Sequence, residues 1–180
     1  MNIAFFSYKS YDKEWFNNHV EGTGFKINYF RVKLDKSTAS YARGADVICA
    51  FVNDDLSKEV IDILSEIGIK MIALRCAGFN NVDLDAAAEK GTQVYRVPEY
   101  SPHAVAEHAV ALILTLNRKI HKAYNRVRDG NFSLSRLTGF NLQGKTVGVL
   151  GTGKIGRVFA DLMHGFGCKV ILYDKFPNQD

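Results

Sequence analysis

Cysteine is scarce in this chain: Cys49, Cys76 and Cys168 are the only three in 180 residues, with no CxxC spacing among them. An odd count in strand-like apolar contexts gives no disulfide framework. The three read as buried, reduced thiols of a cytoplasmic protein. Long apolar runs are also missing. The opening MNIAFFSYKSYDKE has no basic leader region and too short an apolar run for a signal peptide. The most apolar stretch, Val105 to Leu116, is interrupted by Glu107 and His108 and is too short to span a bilayer. Strong charge is absent too, since the net charge is only +4. Basic residues gather only around Arg118 to Arg128. No nucleic-acid motif accompanies them, so that helical face is expected to be solvated or paired. There is no internal repeat and no low-complexity segment. What is present is 47% hydrophobic and 23% charged residues, the balance of a soluble globular chain. A chain of this length buries roughly 70% of its unfolded surface.

From Met1 to about Pro98, short apolar runs alternate with amphipathic segments. The strand-like runs are Ile3–Ser7, Lys26–Val32, Asp46–Val52, Lys70–Cys76 and Gln93–Val97. Helical patterns fall near Tyr11–Asn18, Ser37–Arg43, Leu56–Ile67 and Leu84–Lys90, the last two stopped by Gly68 and Gly91. This alternation predicts a parallel sheet covered on both faces, in a first α/β domain over residues 1–100. Pro98 and Pro102 mark the boundary. Ser101 suits a helix N-cap and Pro102 the first helical position. A long helical region runs from His103 towards Arg128, with a break expected near Arg118. Gly130 ends it, and a loop leads to Lys145.

The stretch Lys145–Asp174, KTVGVLGTGKIGRVFADLMHGFGCKVILYD, then reads as strand, glycine turn, helix and strand. Gly151 permits a tight turn, Gly153 lets a pyrophosphate approach the backbone, and Gly156 lets helix and strand pack closely. The free N–H groups and positive dipole end of the helix would face the phosphates. Asp174, closing the second strand, is placed to accept hydrogen bonds from an adenosine ribose. Its charge would repel a 2′-phosphate, which favours NAD over NADP. The bland alternative is an ordinary polar residue ending a strand.

Two further features are weighed on their own residues. Arg75-Cys76-Ala77-Gly78-Phe79-Asn80-Asn81-Val82-Asp83 lies beyond the carboxyl end of the fourth strand, where open α/β sheets bind ligands. The Ala77 and Gly78 N–H groups could hold a small carboxylate, Gly78 allowing close approach. A mere turn with Asn80 and Asn81 capping a helix explains the segment equally well. His103, Glu107 and His108 match neither HExxH nor HxxEH spacing and are not read as a metal site.

Taken together, RCAGFNNVDLDAAAEKG, the run from PEYSPHAVAEHAVALILTLNRKIHKAYNRVRDGNFSLSRLTGFNLQGKT, and GTGKIG resemble the NAD-dependent D-2-hydroxyacid dehydrogenases, in particular the fermentative D-lactate dehydrogenases. The resemblance implies a flavodoxin-like substrate domain followed by the first βαβ unit of a Rossmann domain, truncated at residues 101–180. It implies that Ala77 and Gly78 hold the substrate carboxylate and that Tyr100 lines the substrate pocket. Val105 would pack near the nicotinamide, Lys154 and Ile155 would lie at the pyrophosphate, and Asp174 on the ribose. The implied reaction is reversible hydride transfer between NADH and pyruvate, giving D-lactate, in a homodimer or homotetramer.

Glu99 departs from the pattern, which leads one to expect a small residue before Tyr100. An acid there disfavours an anionic substrate unless it faces away. The larger departure is that the arginine, histidine and glutamate the family's chemistry requires have no matching motif in this chain. Arg75, His103 and Glu107 do not stand in for them, so no catalytic residue is assigned. The chain alone is expected to be inactive. A non-catalytic NAD-sensing module, as in a transcriptional corepressor of the same family, and a functionless truncated remnant are the rival readings.

Overall fold

A computed structural model describes residues 1–177, and its contacts divide the chain into two units, Met1–Tyr100 and Ser101–Asp180. In the first unit five four-residue strands, β1 (Asn2–Phe5), β2 (Lys26–Tyr29), β3 (Val47–Ala50), β4 (Met71–Leu74) and β5 (Gln93–Arg96), form one parallel sheet in the order β2-β1-β3-β4-β5. Every residue of β3 is buried, as its unbroken apolar run VICA requires of an inner strand. Period-two alternation places Ala4, Ile48, Ala50, Ile72 and Leu74 in one core. Val60, Ile61 and Leu64 of α2 (Lys58–Glu66) and Ala86 and Ala87 of α3 (Leu84–Glu89) pack into that same core. Each large side chain fully buried there contributes about 1.5–3 kcal/mol. Helix α1 (Ser10–Val20) buries no residue completely, but its Phe16 meets the buried Phe5 ring edge-on at 4.9 Å.

The strands are shorter than their apolar runs suggest. β1 stops at Phe5 because the chain turns over the sheet end, with Ser7 in a left-handed conformation at φ 54°. Ser37–Arg43 forms only a four-residue 3-10 turn, Ala39–Ala42. There the Asp35 carboxylate takes the Ser37 and Thr38 N–H groups in a side-chain turn that competes with α-helix. Nor do Asn80 and Asn81 cap α3. Asp83 does, accepting the Ala86 N–H at 2.9 Å. The Asn81 amide instead donates to the carbonyls of Phe51 and Asp54.

In the second unit Ser101 Oγ accepts the Ala104 N–H at 3.1 Å and starts α4 (Pro102–Arg118). Lys119, at φ 56°, ends α4 and turns the chain into α5 (Ile120–Arg128), which places the break beside Arg118. The basic face is partly spent internally, since Arg126 donates to the carbonyls of Ser133 and Ser135. α4 packs on α6 (Lys154–Gly165), which lies between β6 (Thr146–Leu150) and β7 (Lys169–Tyr173), a parallel pair with Leu150 opposite Tyr173. Val110, Met163 and Cys168 form the core of this unit. One sheet face stays bare, with Leu150, Ile171 and Tyr173 all exposed. Among the described residues no helix is long and apolar enough to cross a membrane, and no group of three metal-ligating side chains gathers.

Candidate functional site

Each unit presents its candidate residues at the carboxyl end of its strands. In the first unit β4 runs straight into Arg75, whose N–H still bonds the Ala50 carbonyl. The Arg75 guanidinium lies against the Phe5 and Phe51 rings at 4.7 and 4.8 Å. It donates to the Ser7 carbonyl at 2.9 Å and stands 3.9 Å from the Asp12 carboxylate. Its place is therefore structural, joining the exits of β1, β3 and β4. Beneath it burial pushes the Cys49 thiol up to about 12, only partly offset by the Arg75 charge. Burial raises Cys76 as well. Both thiols stay protonated at neutral pH and are poor nucleophiles.

The next two residues are the proposed carboxylate holders. The Ala77 carbonyl accepts from Arg96 Nη1 at 3.1 Å, and the Gly78 carbonyl accepts from the Cys76 thiol at 3.3 Å. Among the described residues no acceptor is paired with either N–H. A methyl added at Gly78 would meet only Val52 Cγ1, at an ordinary 3.8 Å. The fold itself therefore does not demand glycine there, and any need for close approach must come from a bound group. Tyr100, at the end of this unit, is exposed.

The second unit carries the glycine turn. Gly151 adopts φ 93° and donates to the Tyr173 carbonyl, joining the two strand exits. Gly153 is the N-cap of α6, and no heavy atom lies within 4 Å of where a side chain would begin. A methyl at Gly156, by contrast, would collide with the Gly151 carbonyl oxygen. The three glycines thus do three different jobs: a left-handed turn, an open cradle and a close crossing. Lys154 and Ile155 open α6, so their N–H groups belong to its first turn, where the helix itself offers no acceptor. Val105 stands on the first turn of α4, partly exposed.

Asp174 follows β7 and turns its carboxylate back on the glycine turn. It accepts the Thr152 N–H at 2.6 Å, the Thr152 hydroxyl at 3.1 Å and the Phe176 N–H at 2.8 Å. These bonds, the Thr152 N–H foremost, hold its carboxyl below the usual carboxylate range. An ionised carboxylate fixed beside an open phosphate cradle fits a dinucleotide whose ribose carries free hydroxyls.

The roles of Asp54, Arg75 and Arg96 had no local signal. Asp54 accepts the Leu34 N–H, Arg75 donates to the Ser7 carbonyl and Arg96 to the Ala77 carbonyl, all far away in sequence.

Comparison with known proteins gives the family. The model of the D-isomer specific 2-hydroxyacid dehydrogenase catalytic domain matches residues 3–162. A D-lactate dehydrogenase of Escherichia coli is 52% identical over 178 residues, covering 99% of this chain and 54% of its own length. The apo structure of the Escherichia coli D-lactate dehydrogenase superposes with a TM-score of 0.91 at 51% identity, over 99% of this chain and 57% of that one. The Aquifex aeolicus D-lactate dehydrogenase, solved with NAD and lactic acid, gives 0.80 at 34% identity, over 99% and 53%. The chain spans about half the length of the curated relatives it matches. With a family match over most of its residues and a glycine turn built as that fold requires, the chain belongs to the D-isomer specific 2-hydroxyacid dehydrogenase family.

Proposed function

We propose that this chain is part of an NAD-dependent D-lactate dehydrogenase, which reversibly transfers hydride between NADH and pyruvate. The observation that carries the reading is the open cradle at Gly153 with the Asp174 carboxylate fixed beside it. Resemblance to the D-lactate dehydrogenases supplies the substrate. Bound NADH would supply the hydride. The residues of this chain do the binding: the α6 N-terminus takes the pyrophosphate, Asp174 the ribose hydroxyls, the Ala77 and Gly78 N–H groups the substrate carboxylate, and Tyr100 the substrate's surroundings. Val105 would face the nicotinamide. Proton transfer and polarisation of the 2-oxo group fall to an arginine, a histidine and a glutamate outside the motifs of this chain.

The bare face at Leu150, Ile171 and Tyr173 supports a cofactor domain that continues in the longer protein. Leu112, Leu116, Ile120, Tyr124 and Val127 are likewise exposed along α4 and α5, and support a homodimer or homotetramer in which a second copy covers them.

The test is NADH oxidation with pyruvate, followed by absorbance. A full-length protein should turn over and the purified 180-residue chain should not. Robust turnover by the chain, with its mass confirmed, would overturn its expected inactivity. NADH binding by the full-length protein without reduction of any 2-oxo acid would point to a binding module instead.

Asp174→Ala in the full-length protein should raise the KM for NADH about tenfold and relax the preference over NADPH, because charge-assisted bonds and a repulsive charge are lost together. An unchanged preference would remove Asp174 from the ribose site. The same carboxylate makes the glycine turn pH-dependent. Its pKa is lower folded than unfolded, so its contribution is present above the unfolded value and is lost as pH falls through the folded one. The Asp174→Ala variant should lose that acid limb in a melting-temperature profile against pH.

A further inference from the structure

We infer that Arg96 is a positioning residue of the substrate site, aiming the Gly78 N–H at the carboxylate that it binds together with the Ala77 N–H; this rests on the dehydrogenase reading above. Arg96 closes β5 and is exposed, so burial does not explain it. Its guanidinium nevertheless makes a fork of contacts: Nη1 donates to the Ala77 carbonyl at 3.1 Å and the Pro98 carbonyl at 3.0 Å. Its Cζ lies over the Phe79 ring, 5.2 Å from the ring centre. One side chain thus grips the residue before Gly78, the ring after it, and the segment two residues before Tyr100.

The consequence follows from peptide geometry. A trans peptide is planar, and its C=O and N–H point in opposite directions. Holding the Ala77 carbonyl towards Arg96 therefore turns the Gly78 N–H away from β5. The preceding peptide is held in the same way, because the Cys76 carbonyl accepts the Val97 N–H at 3.2 Å. That turns the Ala77 N–H away from β5 as well. The two donors assigned to the substrate are oriented from behind by neighbouring residues of one strand exit. Of those two grips only the Arg96 one is made by a side chain, so it can be removed without changing the backbone.

Lysine cannot replace this arrangement. Its ammonium can donate to carbonyls as Nη1 does, but not from a flat group that lies over the Phe79 ring. That difference separates positioning from simple attraction of an anion.

The experiment compares full-length wild type, Arg96→Gln and Arg96→Lys in pyruvate reduction, with KM for pyruvate, KM for NADH, kcat and melting temperature measured for each. A rise in pyruvate KM of about tenfold or more is expected in both variants, with kcat changed less and NADH KM unchanged. An unchanged pyruvate KM in Arg96→Gln overturns the inference and leaves the dehydrogenase reading standing. Full rescue by Arg96→Lys overturns it in favour of charge alone. Failure of both variants to fold, or an equal shift in NADH KM, assigns Arg96 a general structural role and overturns it too. No turnover of any 2-oxo acid by the wild type sinks the dehydrogenase reading itself, and the inference with it.

Discussion

Gly156→Ala is expected to destroy the dinucleotide turn. The added methyl would enter the space of the Gly151 carbonyl oxygen, and backbone on both sides leaves no flexible end to yield. Gly151 cannot move freely, because it sits at φ 93° and its N–H is bonded to Tyr173. The strain must be relieved by moving α6 off β6, at a cost of about 3 kcal/mol or more. In the full-length protein we expect the melting temperature to fall and NADH affinity, read by its fluorescence, to drop at least about a hundredfold. Gly153→Ala separates the two effects. Space for that methyl is open, so stability should hold while cofactor affinity falls. An unchanged melting curve and affinity in Gly156→Ala would refute the close-crossing account of this glycine.

Asp54→Ala should be the most damaging change in the first unit. Asp54 is 2% exposed and accepts three bonds: from Ser7 Oγ at 2.6 Å, the Leu34 N–H at 2.9 Å and the Phe51 N–H at 2.7 Å. Truncation leaves those donors without their carboxylate partner in a buried site, at about 1–3 kcal/mol each. The total is a large share of the roughly 5–15 kcal/mol that holds a domain together. We expect a chain that is unfolded or melts far lower, monitored by circular dichroism. Asp54→Asn is a graded control, because its oxygen can replace one carboxylate oxygen while its NH2 opposes the remaining donor. Wild-type stability in Asp54→Ala would show that water or other acceptors replace the carboxylate. The change should also reach the substrate segment, since Asn81 is anchored on the Asp54 carbonyl.

How far these features could be read beforehand depends on whether a local pattern encodes them. The five strands and the glycine turn were legible because an inner strand demands an apolar run such as VICA, the edge strands keep apolar residues within KINY and QVYR, and the turn demands glycine at fixed offsets. The break at Arg118 was legible in outline, although nothing in LNRKIH announces that Lys119 takes the left-handed conformation. Ser37–Arg43 misled because helical spacing was present while Asp35 captured the first N–H groups. Asn80 and Asn81 misled because either can cap, and only the fold shows that the Phe51 and Asp54 carbonyls claim Asn81 first. Asp54, Arg75 and Arg96 were illegible for a shared reason. Which distant carbonyl or amide a polar side chain finds is decided by topology. For the substrate segment the residue types pointed to Ala77 and Gly78, but not to what orients them.

The strand order carries a kinetic consequence. β1 precedes both of its sheet neighbours in the chain, yet it lies between β2 and β3, with Ile3 paired to Ile27 on one side and Val47 on the other. Every neighbour in this sheet is parallel, so no pair can close through a hairpin, and each must wait for a crossover to be built. Such non-local closure folds more slowly than a helical bundle of the same size. During synthesis Phe5 and Phe6 gain their aromatic neighbours when Phe16, Tyr29 and Phe30 follow, but β1 keeps one open edge until β3 is made. A strand with neighbours on both sides thus waits with an edge open to other chains until the second of them is made.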